Sequence, residues 1–110
     1  MTEAKARTLV YARSGGICER CSQARGAEWQ HRKNRSQGGR WSPENGLHLC
    51  SPCHRYVHHK VTESQDNGWS VKGAFDPAAQ PVLIQNGSRW VYLTADGSYS
   101  DDPPEVAKCA

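Results

Sequence analysis

The sequence predicts a small α+β chain, with a metal-stapled core preceded by a helix and followed by a small antiparallel β-sheet. Three observations lead there. Hydrophobic residues make up only 36% of the 110 positions, at a mean hydropathy of −0.80, so burial alone gives a thin core. Four of the five cysteines fall into two C-x2-C pairs, Cys18 with Cys21 and Cys50 with Cys53, and a structural metal is one of the staples that small domains recruit. The local signals run helix, knuckle, strand, loop, strand, helix and hairpin, with no internal repeat or low-complexity stretch.

Each element has a local cause. Thr2 caps a run of good helix formers that stops at Gly15-Gly16, so a helix is expected over about 3–13. The stretch ICERC has the form of a zinc knuckle, a tight turn presenting two thiolates. AEWQH and GLHLC read as short strands, separated by the polar loop RKNRSQGGRWSPEN with Gly38-Gly39 at its turn. Ser51 can cap and Pro52 can occupy the first turn of a second helix, expected over about 52–62. Beyond residue 64, GWSVKGAF, PVLIQ and RWVYLT look like strands, the last two joined by NGS, a strong hairpin signal. This β-rich part holds no cluster of ligands or nucleophiles and is expected to brace the first half. The last segment, 101–110, reads as a flexible tail, and Cys109 within it is expected to take no part in binding zinc.

The net charge of +3 conceals an asymmetry. Residues 1–60 carry eleven Lys/Arg against four Asp/Glu, a net +7, whereas residues 61–110 carry three against seven, a net −4. The basic half also holds all five histidines and every cysteine but Cys109. Nucleic acid is the leading polyanionic partner for such a half, although a solvated basic face explains the same charge. No apolar run approaches the roughly 20 residues of a membrane span, and the N-terminus lacks the uninterrupted apolar centre of a secretion signal. A cytoplasmic chain with no membrane partner is expected, in which paired C-x2-C motifs hold metal rather than disulfides.

Residues 50–59, CSPCHRYVHH, place five metal-ligating side chains in ten positions, more than one tetrahedral ion accepts. Cys18, Cys21, Cys50 and Cys53 match a closed structural zinc site, in which the metal contributes directly to folding. The histidines are then left over. On a helix His54 and His58 stand at i and i+4 on one face, the arrangement by which two imidazoles share one ion, while Cys53 points about 100° away. His59 falls off that line and reads as solvent-facing, and His48 reads as an outward-facing strand residue with no role.

His31 on the first strand, Asn45 before the second and His54 opening the helix, framed by the two C-x2-C pairs, closely resemble the HNH endonucleases with their ββα-metal, treble-clef-like zinc core. The resemblance covers about residues 16–60, and HRKNRSQGG followed by SPENGLHLCSPCH looks especially like the small HNH proteins of bacteriophages. It implies a nuclease core over 1–63, a β-rich extension over 64–100 and a metal-dependent endonuclease that cuts DNA, in one or both strands, to 5′-phosphate and 3′-hydroxyl ends. By position, His31 would be the general base, Asn45 would fix the loop that orients it, and His54 with His58 would hold the catalytic ion. Family members often place His, Asp or Glu just before the base as a further ligand; here Gln30 stands there, a weak neutral donor. The preferred ion therefore stays open among Mg2+, Mn2+, Ni2+, Co2+ and Zn2+. The phage likeness also implies a host cytoplasm and an association with terminase during genome packaging.

Charge suggests the substrate contacts. Arg32, Lys33, Arg35 and Arg40 lie in the loop beside His31, with Arg55 and Lys60 on the helix, and the phosphates of double-stranded DNA are their expected targets. Trp41 is expected to cover the zinc site or core, with the DNA minor groove as its alternative place. A non-catalytic zinc module binding nucleic acid or a protein would share the cysteines and the charge. It would not account for His31, Asn45, His54 and His58 at these spacings.

Overall fold

The structure, a computed structural model that describes residues 1–104, contains among those residues three α-helices and two small antiparallel sheets. Helix α1, Glu3–Ser14, starts where the Thr2 hydroxyl accepts a hydrogen bond from the Lys5 N–H and ends at Gly15. It buries Ala6 and Val10 against Trp29. Strands β1, Glu28–His31, and β2, Gly46–Leu49, pair in the register Trp29 with His48 and His31 with Gly46. Residues opposite each other share a face, so one face of this ribbon carries Trp29, His31, Gly46 and His48.

That register overturns the expectation of an outward His48. The side chain is 3% exposed, stacks on Tyr11 of α1 at 4.1 Å between ring centroids, and sets Nδ1 2.8 Å from the Ser14 hydroxyl. The ribbon closes this tightly only because two residues lack a side chain. A Cβ at Gly46 would lie 2.1 Å from the Trp29 ring, and one at Gly26 would lie 2.5 Å from His48.

Helix α2, Ser51–His59, is shorter than the expected 52–62. Lys60 leaves helical geometry, and the buried Ser64 hydroxyl donates to the Val57 carbonyl, drawing a separate helix α3, Val61–Asp66, across its end. The hairpin is present as β3, Val82–Ile84, and β4, Arg89–Leu93, with β5, Tyr99–Ser100, added at the other edge of β4. The expected strand in GWSVKGAF does not form. Its backbone groups bind elsewhere: the Val71 N–H donates to the Arg32 carbonyl at 2.7 Å, and the Gly68 and Trp69 carbonyls accept from the Arg32 and Gln30 side chains.

One hydrophobic cluster joins the two halves, drawing Leu47, Leu49 and Val57 together with Trp69, Val82, Ile84, Val91 and Leu93. Glu19, 3% exposed, is the polar counterpart. It pairs with Arg13 at 2.7 Å and accepts from the His48 N–H at 2.8 Å and the Tyr99 hydroxyl at 2.6 Å, tying β5 to the knuckle. Of the tail, Asp101 pairs with Arg89 at 3.3 Å, and Cys109 lies outside the described residues.

Arg32 requires a correction. It is 1% exposed, and its guanidinium donates to the carbonyls of Gly68, Glu44, Pro77 and Gln80 at 2.8–3.0 Å, so no phosphate reaches it. Burial pushes the group down to about 9. It works as a clamp between the first half and residues 68–80. Arg32→Leu would leave four carbonyls short of a donor and is expected to cost about 3–5 kcal/mol, since each buried acceptor left unsatisfied costs about 1 kcal/mol or more. A shift in the urea midpoint checks this, and a loss under about 1 kcal/mol would contradict the clamp.

Candidate functional site

Two clusters share α2. In the first, the sulfurs of Cys18, Cys21, Cys50 and Cys53 all lie within 4.8 Å of one another and all four cysteines are free. Such a set can hold a metal ion such as zinc: a tetrahedral ion with bonds of about 2.3 Å needs sulfurs about 3.8 Å apart, and Cys21 and Cys50 stand at 3.9 Å. The knuckle presents its pair because Ser22 adopts φ 56° and its N–H donates to the Cys18 carbonyl at 3.0 Å. Cys50 precedes α2, and Cys53 falls on the helix's buried side.

The thiols are unequal. At Cys18, burial is outweighed by hydrogen bonds from the backbone of Cys21, Cys50 and Arg20, holding it below the usual value; at Cys53, burial pushes the thiol up to about 12. A divalent ion displaces such protons as it binds. Arg20 opposes the rise at Cys53. Its guanidinium donates to the Cys53 sulfur at 3.2 Å and lies 4.1 Å from the Tyr56 ring and 4.3 Å from the Trp69 ring. Four thiolates around a dication would carry two excess negative charges, and Arg20 is placed to offset one of them behind an aromatic screen.

The second cluster lies one helix face away. His54 and His58 bring their Nε2 atoms to 3.2 Å, while His59 stays exposed on the last turn. Burial holds His54 below the ordinary histidine value, with Glu28 pulling the other way and His58 adding to the depression. His54 opens onto a cleft of about 430 Å3 lined also by Arg7, Glu28, Trp29, His31 and Trp41. Trp41 therefore lies beside His31, its ring centroid 4.5 Å away, and of its expected places takes the core, packing against Ala6, Val10 and Trp29 and not over the cysteines.

The His31 Nε2 is buried without a hydrogen-bond partner. Burial lowers the His31 pKa and Arg35 and Arg7 reinforce the effect against Glu3, so the ring is neutral near pH 7. Asn45, 2% exposed, holds the polar loop: its side chain accepts from the Lys33 N–H at 2.7 Å and donates to the Lys33 and Arg40 carbonyls at 3.0 Å.

Gln30 lies apart from this cleft. Adjacent strand residues point to opposite faces, and Gln30 donates to the His31 and Trp69 carbonyls at 3.0 and 3.3 Å while lining a separate groove with His58. The carboxylate that reaches the histidine pair is instead Glu28, whose Oε1 is 3.4 Å from His54 Nδ1. Sequence reasoning also passed over Arg7, stacked 5.2 Å above Trp41 and paired with Glu3 at 2.9 Å. No local signal marks either residue, because each enters the site only through the packing of α1 on the β1–β2 ribbon and of β1 against α2. Among the other cations, Arg35, Arg40, Arg55 and Lys60 are exposed and Lys33 is half-buried.

No helix among the described residues is long and apolar enough to cross a membrane. Compared with known proteins, the chain matches no family model, no curated protein and no solved structure.

Proposed function

We propose that the chain is a metal-dependent DNA endonuclease of the HNH type, with a structural zinc on the four cysteines and a second divalent ion on His54 and His58. The observation that carries this is the shared cleft, which brings a neutral, unpartnered imidazole, His31, together with one of a pair of imidazoles whose Nε2 atoms are 3.2 Å apart. Metal–nitrogen bonds of about 2.1 Å at ordinary angles place two ligand atoms about 3.0–3.4 Å apart, so the pair fits one ion.

His31 acts as the general base. The neutral ring offers one nitrogen lone pair to take a proton from a water aimed at phosphorus. Trp29 and Trp41 hold the ring at centroid distances of 5.8 and 4.5 Å. Arg7 sits in the cleft to bind a nonbridging phosphate oxygen, and Arg35, Arg40, Arg55 and Lys60 give a cationic surface for the flanking backbone. A divalent ion, when bound by His54 and His58, supplies charge neutralisation at the phosphate and the leaving oxygen.

Supercoiled plasmid incubated with zinc-loaded protein and Mg2+, Mn2+, Ni2+, Co2+ or added Zn2+ tests the reading. Nicked circles that ligase reseals without prior phosphorylation are expected in at least one metal. Plasmid that stays supercoiled in all five would leave a zinc module that binds without cutting.

His31 also makes a pH prediction. Burial first, then Arg35 in the loop and Arg7 on α1, disfavour the imidazolium and Glu3 opposes them least, so the neutral form persists below pH 6.5 and is lost as pH falls through the lowered value. A nearby divalent ion pushes the same way. An NMR titration of the His31 ring in the zinc-loaded protein should give a midpoint below 6.5, and a midpoint above it would contradict the assigned environment.

A further inference from the structure

We infer that Glu28 is the positioning residue of the histidine pair, completing a carboxylate–histidine–metal relay in which it fixes which His54 nitrogen faces the ion. The inference rests on the proposed second metal site and goes beyond it in naming what sets its ligand geometry. Two distances carry it. His54 has two ring nitrogens, and they face different partners: Nε2 stands 3.2 Å from His58 Nε2, and Nδ1 stands 3.4 Å from Glu28 Oε1. A neutral imidazole carries one proton, so a carboxylate at Nδ1 favours the tautomer protonated there and leaves the Nε2 lone pair free for an ion. Metal-binding histidines almost always show this pattern, donating the remote N–H to a carboxylate or carbonyl.

The elements explain why Glu28 is placed for this. It begins β1, the strand next to α2, pairs with Leu49 one residue before Cys50, and so lies beside the first turn of the helix that carries His54. The β1–β2 pairing that leads into Cys50 and the start of α2 therefore also sets the distance between carboxylate and imidazole. The Glu28 side chain is 41% exposed and the His54 side chain 25%, so the relay opens to solvent and to an incoming ion. Glu28 has no other side-chain partner within hydrogen-bond or ion-pair distance among the described residues, which leaves it free for this one task.

The test uses the full-length, zinc-loaded protein and Ni2+ as probe. Calorimetric titration of wild type should show one Ni2+ site beyond the structural zinc, and His58→Ala should remove it. Glu28→Ala should weaken Ni2+ binding about 10- to 100-fold, the range for loss of such outer partners, and Glu28→Gln, which keeps an acceptor without the charge, should fall between the two. A merely structural role would not move the tautomer, so long-range 1H–15N spectra of the His54 ring give a second readout. Nδ1 protonation is expected in wild type, with a shift toward the Nε2 tautomer in Glu28→Ala. Ni2+ affinity within twofold of wild type in Glu28→Ala, a wild-type ring protonated at Nε2, or no second Ni2+ site in wild type would each overturn the inference. If Glu28-dependent Ni2+ binding is found without DNA cleavage in any metal, the nuclease reading falls and the relay stands. If DNA is cut but Glu28→Ala binds Ni2+ as wild type does, the relay alone falls.

Discussion

Cys50→Ala is expected to release the structural zinc and unfold the chain. Four sulfurs within 4.8 Å of one another fit one tetrahedral ion, and zinc on such sites supplies about 10–16 kcal/mol of apparent folding free energy. A small domain's whole stability is about 5–15 kcal/mol, so nothing else compensates. Cys18, Cys50 and Cys53 also belong to the hydrophobic cluster that joins Leu47 and Leu49 to Trp69 and Ile84. Losing an ion held there should thus loosen the contact between the two halves as well as the knuckles. Elemental analysis should find about one zinc per chain in wild type and in His54→Ala, and none in Cys50→Ala, which should also lack a cooperative melting transition. Zinc retained by Cys50→Ala, or lost from His54→Ala, would show that the ligands have been divided wrongly between the two clusters.

The cysteine cluster was legible because C-x2-C spacing is a local pattern that constrains the turn it sits in, and the four positions named from spacing do come together. The hairpin was legible for the same reason: NGS supplies a local turn, with Asn86 and Gly87 at φ 56° and 80°. What failed was set by distant partners. GWSVKGAF has strand-like residues, yet Arg32 and Gln30 take its backbone groups before a strand can pair with them. Arg32 counted as a phosphate ligand on charge alone, and only the carbonyls that converge on it from residues 44 and 68–80 reveal a buried clamp. His48 alternates as an outward residue should, but α1 covers that face. In the site, helical spacing pairs His54 with His58, whereas Glu28 and Arg7 could be found only by knowing which strand and which helix lie alongside. The break at Lys60 depends on Ser64, which bonds back to Val57 from outside α2.

His31→Ala is expected to lower the rate of DNA cleavage by about 10²–10⁴-fold, the usual contribution of a positioned general base. That corresponds to about 3–5 kcal/mol of transition-state stabilisation. The ring is half-buried between Trp29 and Trp41, so its loss removes some packing, but it touches neither the cysteines nor Glu19 and should leave zinc content and the overall fold intact. His54→Ala is expected to act differently: it removes a proposed ligand of the second ion, and a higher metal concentration should restore part of its activity. No metal concentration should rescue His31→Ala, because the group it removes is the proposed proton acceptor and not a metal ligand. The most direct measurement is the initial rate of plasmid nicking by zinc-loaded wild type and His31→Ala, side by side, in the metal that supports cleavage best and with zinc content verified in both. A fall of at least about 100-fold in the variant is the result expected; equal rates would contradict the assignment of His31 as the base and, with it, the catalytic cleft.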